Sequence, residues 1–283
     1  MEIKDKQRLK EIIAVVNAKG GVGKTTTVQN LAAAMVRYRE YWQVLIIDCD
    51  PSGDLTKLMG VDPDNIGTHT LTDAMSSSTG RLPIYERKLQ TGGSIYFTPS
   101  TPDLQHIEPA LLKQLAPNKV LDRLLHSEPE DMTGRGIADI TQYFDYVLID
   151  CPPDLSERTM NAMGAADTLL VPVQMEGLPV NALAPILNQM KEVRQLLNAR
   201  LTLRGILPTM VDPRPNIAKG FMEYLRKAYG QRVMHTVIPR EVKVTEAQTK
   251  KQDLYEYGLN LPRSKKQIAA NAYDDLVREM FQH

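Results

Sequence analysis

Short, uninterrupted apolar runs alternate along the chain with longer stretches of helical spacing. This is the pattern of a parallel sheet covered on both faces by crossover helices. Glu11–Asn17 (EIIAVVN) and Gln43–Cys49 (QVLIIDC) lack polar alternation and predict buried strands. Tyr146–Cys151, Thr168–Val173 and Leu203–Met210 repeat the pattern, and Ser94–Phe97 and Val233–Ile238 add two shorter strands. Helices are predicted from about Thr25 to Arg39 and over Asp103–Leu115, Asn118–Leu125, Glu157–Ala165, Leu183–Leu197, Asn216–Tyr229 and Lys265–Phe281. Ser76–Gly93 and His126–Gly136 are rich in Gly, Pro, Ser or charge and read as surface loops, not linkers. The expectation is therefore one α/β domain over residues 1–283, a mainly parallel twisted sheet flanked by helices.

Composition narrows the class. A chain of 283 residues with 42% apolar and 24% charged positions can bury a sizeable core and is ordinary for a soluble globular protein. Its two cysteines, Cys49 and Cys151, lie far apart and form no C-x-x-C, which disfavours a disulfide scaffold or zinc site and fits a reducing cytoplasm. No apolar run approaches the roughly 18 residues of a membrane span, and the mixed-charge start Met1–Lys6 lacks the apolar stretch of a signal peptide.

The sharpest local feature is Lys19-Gly20-Gly21-Val22-Gly23-Lys24-Thr25-Thr26, placed directly after a predicted strand and opening a predicted helix. That context is the one a phosphate-binding loop (P-loop) requires. Glycines let backbone N–H groups turn inward around phosphate oxygens, and a helix N-terminus favours anions. Lys24 is expected against the β- and γ-phosphates, with the Thr25 hydroxyl on Mg²⁺. The common pattern G-x-x-x-x-G-K-[ST] fails by one residue, because Ala18 stands at its first position; a variant with an additional lysine, Lys19, fits instead.

A nucleotide with Mg²⁺ also needs acids at the carboxyl ends of neighbouring strands. Asp48-Cys49-Asp50-Pro51 and Asp150-Cys151-Pro152-Pro153 supply them. Asp150 follows four apolar residues and is expected at the metal, directly or through water. Asp50 precedes a Pro-Ser-Gly turn and is expected to orient an attacking water, and it is a further metal candidate. The neighbouring cysteines read as buried packing residues, since no His accompanies them.

These residues resemble the ParA family of partition ATPases, in the deviant-Walker-A group that also holds MinD. The matching blocks run from Asn17–Thr27 through Asp48–Pro51 and Leu148–Pro153 to Val171–Gln174, Thr209–Arg214 and Thr236–Arg240, with Glu246-Ala247 shortly after. The resemblance implies a weak ATPase that forms an ATP-sandwich homodimer, in which Lys19 reaches the nucleotide of the other subunit. It implies Lys19, Lys24 and Asp50 as catalytic residues. Candidate nucleotide contacts are Lys19 to Thr26 together with Asp48, Met210 and Pro239; metal candidates are Thr25, Asp50 and Asp150. It further implies non-specific DNA binding near the nucleoid and a ParB-like adaptor that stimulates hydrolysis, so that plasmid or chromosomal DNA is segregated. Two departures stand out. Ser52-Gly53-Asp54 replaces the family's Gln-Gly-Asn, and Glu241 stands where Asn is common. Only 18 residues precede Lys19, so operator binding through an N-terminal helix-turn-helix domain is not expected.

Charge distribution bears on the DNA expectation. The 34 Lys and Arg balance the 34 Asp and Glu, yet residues 214–266 hold twelve basic and five acidic side chains, a net +7 against −7 for the remainder. A basic face of this kind binds DNA phosphates without reading sequence, although a solvated surface has the same composition. Arg214, Arg240, Lys243, Lys250 and Lys251 are the expected contacts. The alternative is a MinD-like ATPase acting on a membrane or protein cargo. It needs a basic amphipathic C-terminal helix, whereas Asp274, Asp275 and Glu279 there face a single Arg278, and Ala272, Tyr273, Leu276 and Met280 read as a packing stripe.

Overall fold

The computed structural model describes residues 8–39, 41–174, 179–212, 214–262 and 267–281, with backbone alone at 179–182 and 215–218. Eight strands form one sheet: β1 Glu11–Val15, β2 Val44–Asp48, β3 Pro83–Lys88, β4 Ser94–Thr98, β5 Glu130–Asp131, β6 Tyr146–Asp150, β7 Thr168–Gln174 and β8 Thr202–Thr209. They lie in the order β5-β3-β4-β2-β6-β1-β7-β8. Every neighbouring pair is parallel except β3–β4.

The helices are α1 Lys24–Tyr38, α2 Asp54–Leu58, α3 Leu71–Ser76, α4 Glu108–Leu111, α5 Val120–Leu125, α6 Ile140–Tyr143, α7 Glu157–Ala165, α8 Pro179–Leu196, α9 Pro215–Tyr229, α10 Val242–Thr249, α11 Leu254–Leu259 and α12 Ile268–Phe281. Alternate residues of the central strands feed two cores. Ile12, Ala14, Leu45, Ile47, Val147 and Ile149 join one layer with α5, α7 and α8. Ile13, Val15, Val44, Ile46, Tyr146 and Leu148 join the other with α1, α11 and α12. Both faces are covered, which is why these strands read as apolar runs with no polar side.

Helix α1 is enclosed. Thr27 to Val36 are all buried, between the sheet on one side and α12 on the other. Ala32-Ala33-Ala34 let α12 approach closely, and the α12 residues Ala272, Tyr273, Leu276 and Met280 are buried in that interface. The stripe read as packing is therefore packing. Among the described residues no helix is long and apolar enough to cross a membrane.

Three expectations change. Val233–Ile238 is not a strand: Val233 makes an isolated bridge to Ile206, and beyond it, among the described residues, only the N–H groups of Met234 and Ile238 donate to β8, at the Ile206 and Pro208 carbonyls. The Glu279 carboxylate accepts from the N–H groups of His235 and Thr236, both at 2.7 Å, so a side chain takes the place of a ladder partner. The expected helix Asp103–Leu115 breaks into a 3₁₀ turn, Pro102–His106, and α4. Pro102 and Pro109 each stand in the first turn of their piece, where a missing N–H costs nothing. The expected loops Ser76–Gly93 and His126–Gly136 contain β3 and β5. The outset of the predicted helix at Lys265 lies outside the described residues.

Candidate functional site

The neighbours β1, β2 and β6 end together, and the chemistry collects at their carboxyl ends. Asp48 and Asp150 are register partners across β2 and β6, and Val15 pairs with Asp150 across β1 and β6. The glycine loop leaves β1 here and enters α1. Gly21 and Gly23 have φ of 71° and 91°, left-handed values that an L side chain seldom adopts. Gly23 is also the residue before α1, so the free N–H groups of the first turn open onto the same space.

Side chains from other elements hold the loop. The Asn17 amide donates to the Pro172 carbonyl on β7 at 2.6 Å, while its oxygen accepts from Lys19 N–H at 2.9 Å. The Thr209 hydroxyl at the end of β8 donates to the Val22 carbonyl at 2.7 Å. Val22 is buried and faces away from the cleft. Lys24 is buried, and its ammonium donates to the Lys19 carbonyl at 3.4 Å, a long bond that folds the side chain back over its own loop.

The two in-line acids differ in their surroundings. Asp48 is fully engaged by protein: one oxygen accepts from Asp50 N–H, and the other from the N–H and hydroxyl of Thr56 at 2.8 and 2.6 Å. Thr56 Oγ1 in turn accepts from Ser100 N–H at 2.9 Å. Burial pushes the Asp48 carboxyl up to about 7, with the Thr56 bonds opposing. Asp150 is equally buried, but neither carboxylate oxygen has a hydrogen-bond partner of regular geometry. Burial drives it well above the carboxylate range and the Asp48 charge adds to this; the nearby Thr25 hydroxyl and Lys24 oppose it. Lys24 is pulled below its ordinary value by burial, with Asp150 opposing most strongly. Burial also raises both cysteine thiols, which suits inert packing residues.

Above these groups opens a cleft of about 720 Å³ lined by Gly20, Gly21, Gly23, Lys24, Thr25, Thr26, Asp50 and Met210 from the sequence-derived set. Asp50 is half-buried, and its carboxylate accepts from Ser52 N–H at 2.9 Å. Lys19 is exposed and is not part of that lining. Pro239 does not join the cleft either; it bridges to Val211 and lines a separate surface depression with His235 and Ile268.

The expected DNA contacts do not share one environment. Arg214 is 72% exposed but clamped by Asp212 through its backbone N–H and guanidinium, and Arg214 holds that acid down to about 2. Lys243 pairs with Glu241 at 3.0 Å. Glu241, the acid standing where Asn is common, also accepts from Ala269 N–H at 2.7 Å and so caps the first turn of α12. Arg240 is exposed, Lys250 stacks over the Tyr257 ring, and Lys251 lines the cleft.

Sequence reading reached only part of the far wall. Ser52 and Asp54 belong to the departure noted after Asp50, whereas Lys57 and, beyond Asp150, Pro153 were reachable only by continuing those loops. Gln248 and Thr249 arrive from α10 with no local signal; Gln248 Nε2 donates to Thr26 Oγ1 at 2.9 Å.

Comparison with known proteins agrees with this arrangement. Residues 10–203 match the model of a family described as an AAA domain. The sporulation initiation inhibitor protein Soj of Bacillus subtilis is 33% identical over 270 residues, covering 95% of this chain and 98% of its own. The chromosome-partitioning ATPase Soj of Thermus thermophilus is 35% identical over 268 residues, covering 95% and 94%. Among solved structures, a Mycobacterium smegmatis protein described as cobyrinic acid a,c-diamide synthase, with a bound ATP analog and magnesium, matches with a TM-score of 0.73 at 28% identity over 97% of each chain.

Proposed function

The chain belongs to the ParA family of partition ATPases, and from that premise we propose that it works as an ATP-timed DNA-positioning switch. MgATP would join two copies, the dimer would hold DNA without reading sequence, and hydrolysis stimulated by a ParB-like adaptor would release it. The observation that carries the nucleotide part is that Lys24 and Thr25 line the cleft on a glycine loop at the strand ends, with the buried Asp150 carboxylate beside both and without a hydrogen-bond partner of regular geometry.

The residues fit the groups they would hold. Left-handed glycines leave room for phosphate oxygens against backbone N–H groups. Asp150 and Thr25 present hard oxygen donors of the kind Mg²⁺ takes, and two buried carboxylate oxygens without partners are costly unless a cation completes them. Mg²⁺, when bound, neutralises charge developing on the phosphate oxygens.

In this reading Lys24 holds the β- and γ-phosphates, and Asp50, half-exposed in the same cleft, orients the attacking water. Asp48 acts through structure: it anchors the turn that carries Asp50 by way of Thr56. Lys19, exposed at the loop, is free to meet the nucleotide of a second copy, supplying a charge in trans as an arginine finger does. One subunit alone then lacks a full catalytic set, which makes turnover slow and dimer-dependent. Each copy carries the +7 segment over residues 214–266, so dimerisation would double the basic surface.

The test measures light-scattering mass and phosphate release with MgATP. The wild-type chain is expected to double in mass, and Lys19→Ala to stay monomeric with turnover reduced at least about a hundredfold. Asp50→Ala is expected to remain an ATP-bound dimer that holds DNA. Normal turnover by Lys19→Ala would overturn the cross-subunit role.

A further inference from the structure

We propose that Lys251 is a nucleotide contact, closing the phosphate cleft from the C-terminal side; the proposal rests on the reading of this cleft as an ATP site. Sequence alone grouped Lys251 with the basic residues expected to touch DNA. The fold places it elsewhere, in the lining of the same cleft as Lys24, Thr25 and Thr26.

The backbone at Lys251 is unusual. Its φ is 54°, in the left-handed region where glycine or asparagine is the ordinary occupant. The turn that ends α10 imposes this value: Lys251 N–H donates to the Gln248 carbonyl at 2.9 Å and Gln252 N–H to that of Ala247 at 3.0 Å. A long cationic side chain therefore sits where glycine would be more stable. Strain kept beside a binding cleft points to function.

The segment is also pinned to the cleft at both ends. Gln248, three residues earlier, donates to the Thr26 hydroxyl on the first turn of α1. The Lys251 carbonyl accepts from Arg87 at 3.0 Å, and Arg87 also donates to the carbonyl of Leu58, at the end of α2, at 2.8 Å. Arg87 is itself fixed by an ion pair with buried Glu256 at 2.5 Å. The lysine stem thus leaves a base tethered both to the first turn of α1 and to the end of α2. Among the described residues its ammonium makes no ion pair or hydrogen bond. Asp62 feels its charge only weakly: that carboxyl is held low first by the Asn65 amide, with Lys251 a minor contributor. An unpaired ammonium lining the same cleft as the glycine loop is complementary to the phosphates of a bound nucleotide.

The test uses the full chain and measures Mg²⁺-dependent Kd for ATP and for ADP by displacement of a fluorescent nucleotide, together with DNA affinity at saturating ATP. Lys251→Gly suits the left-handed turn, so the fold is expected to be at least as stable. It should weaken ATP and ADP binding by a similar factor of about three to ten, a deficit that shrinks as KCl rises. Lys251→Arg should bind within about twofold of the wild-type chain, since charge is what the contact supplies. DNA affinity at saturating ATP should not change. Unaltered nucleotide affinity in Lys251→Gly, with or without weaker DNA binding, overturns the assignment. Failure of the wild-type chain to bind ATP removes the underlying reading and this proposal with it.

Discussion

Asp150→Asn separates the stability of the empty protein from its function. The wild-type carboxyl is fully buried, and neither oxygen has a hydrogen-bond partner of regular geometry, with the Thr25 hydroxyl and Lys24 nearby. An unsatisfied buried polar group costs about 1–3 kcal/mol, and a charged one more. Asparagine keeps the shape and cannot ionise, so the nucleotide-free fold no longer has to hold a proton that the unfolded carboxylate gives up at neutral pH, and should gain on the order of 1–3 kcal/mol. For 283 residues the unfolding entropy near the midpoint is about 0.6 kcal/mol/K, so the expected rise in Tm is about 2–5 °C. Ligand should reverse the ranking. At a hundred times its Kd, MgATP stabilises a binding protein by about 2.7 kcal/mol, and the Mg²⁺-dependent part of that shift should vanish in the variant. Differential scanning fluorimetry in EDTA, in ATP with EDTA and in MgATP measures all three states. A lower Tm for the empty variant would mean that Asp150 is engaged structurally. A full Mg²⁺-dependent shift would remove it from the metal site. Either result refutes the reasoning.

Two further outcomes follow from the same geometry. Asp253 caps α11, accepting from Tyr255 and Glu256 N–H at 2.8 Å each, yet burial pushes its carboxyl up to about 6. The folded state therefore holds this proton to higher pH than the unfolded chain does. Stability is lost as pH rises from about 4 to 6 and is flat above. Asp253→Asn, which can still cap, should match the wild-type chain near pH 4 and exceed it by about 1–3 kcal/mol at pH 8 in urea unfolding; parallel pH profiles would count against it. Thr209→Val removes the bond to the Val22 carbonyl and should cost about 1 kcal/mol while weakening ATP binding several-fold. Wild-type ATP affinity in that variant would show that the loop keeps its shape without this prop.

The central architecture was legible because burial on both faces leaves a continuous apolar run, and β1, β2, β6 and β7 announce themselves in this way, as does the buried second half of β8. The edge at β3 was not. β3 (PIYERK) is partly exposed and polar at its end, so nothing separates it from a loop except its pairing with β4. Val233–Ile238 has strand composition, but Glu279, distant in sequence, claims the N–H groups of His235 and Thr236, leaving those of Met234 and Ile238 to donate to β8. The site divides similarly. The glycine loop and the acids at the strand ends stand out in local pattern, whereas Lys57 and Pro153, further along the same loops, carry no signal of their own. Nor do Gln248 and the cleft position of Lys251, since α10 reaches Thr26 only through tertiary packing. Asp48 and Asp150 look alike in sequence; only the structure separates an acid saturated by Thr56 from one left unpartnered.

The enclosure of α1 decides which parts can move. A helix walled in by the sheet and α12 cannot slide or tilt without tearing open a core, so its first turn and the glycine loop act as a stator. Motion belongs to the pieces resting on it, the short α2 after Asp50 and the α10 turn tethered through Gln248 and Arg87. Hydrogen exchange should register this as α1 amides that stay protected in every nucleotide state while those of α2 and α10 change.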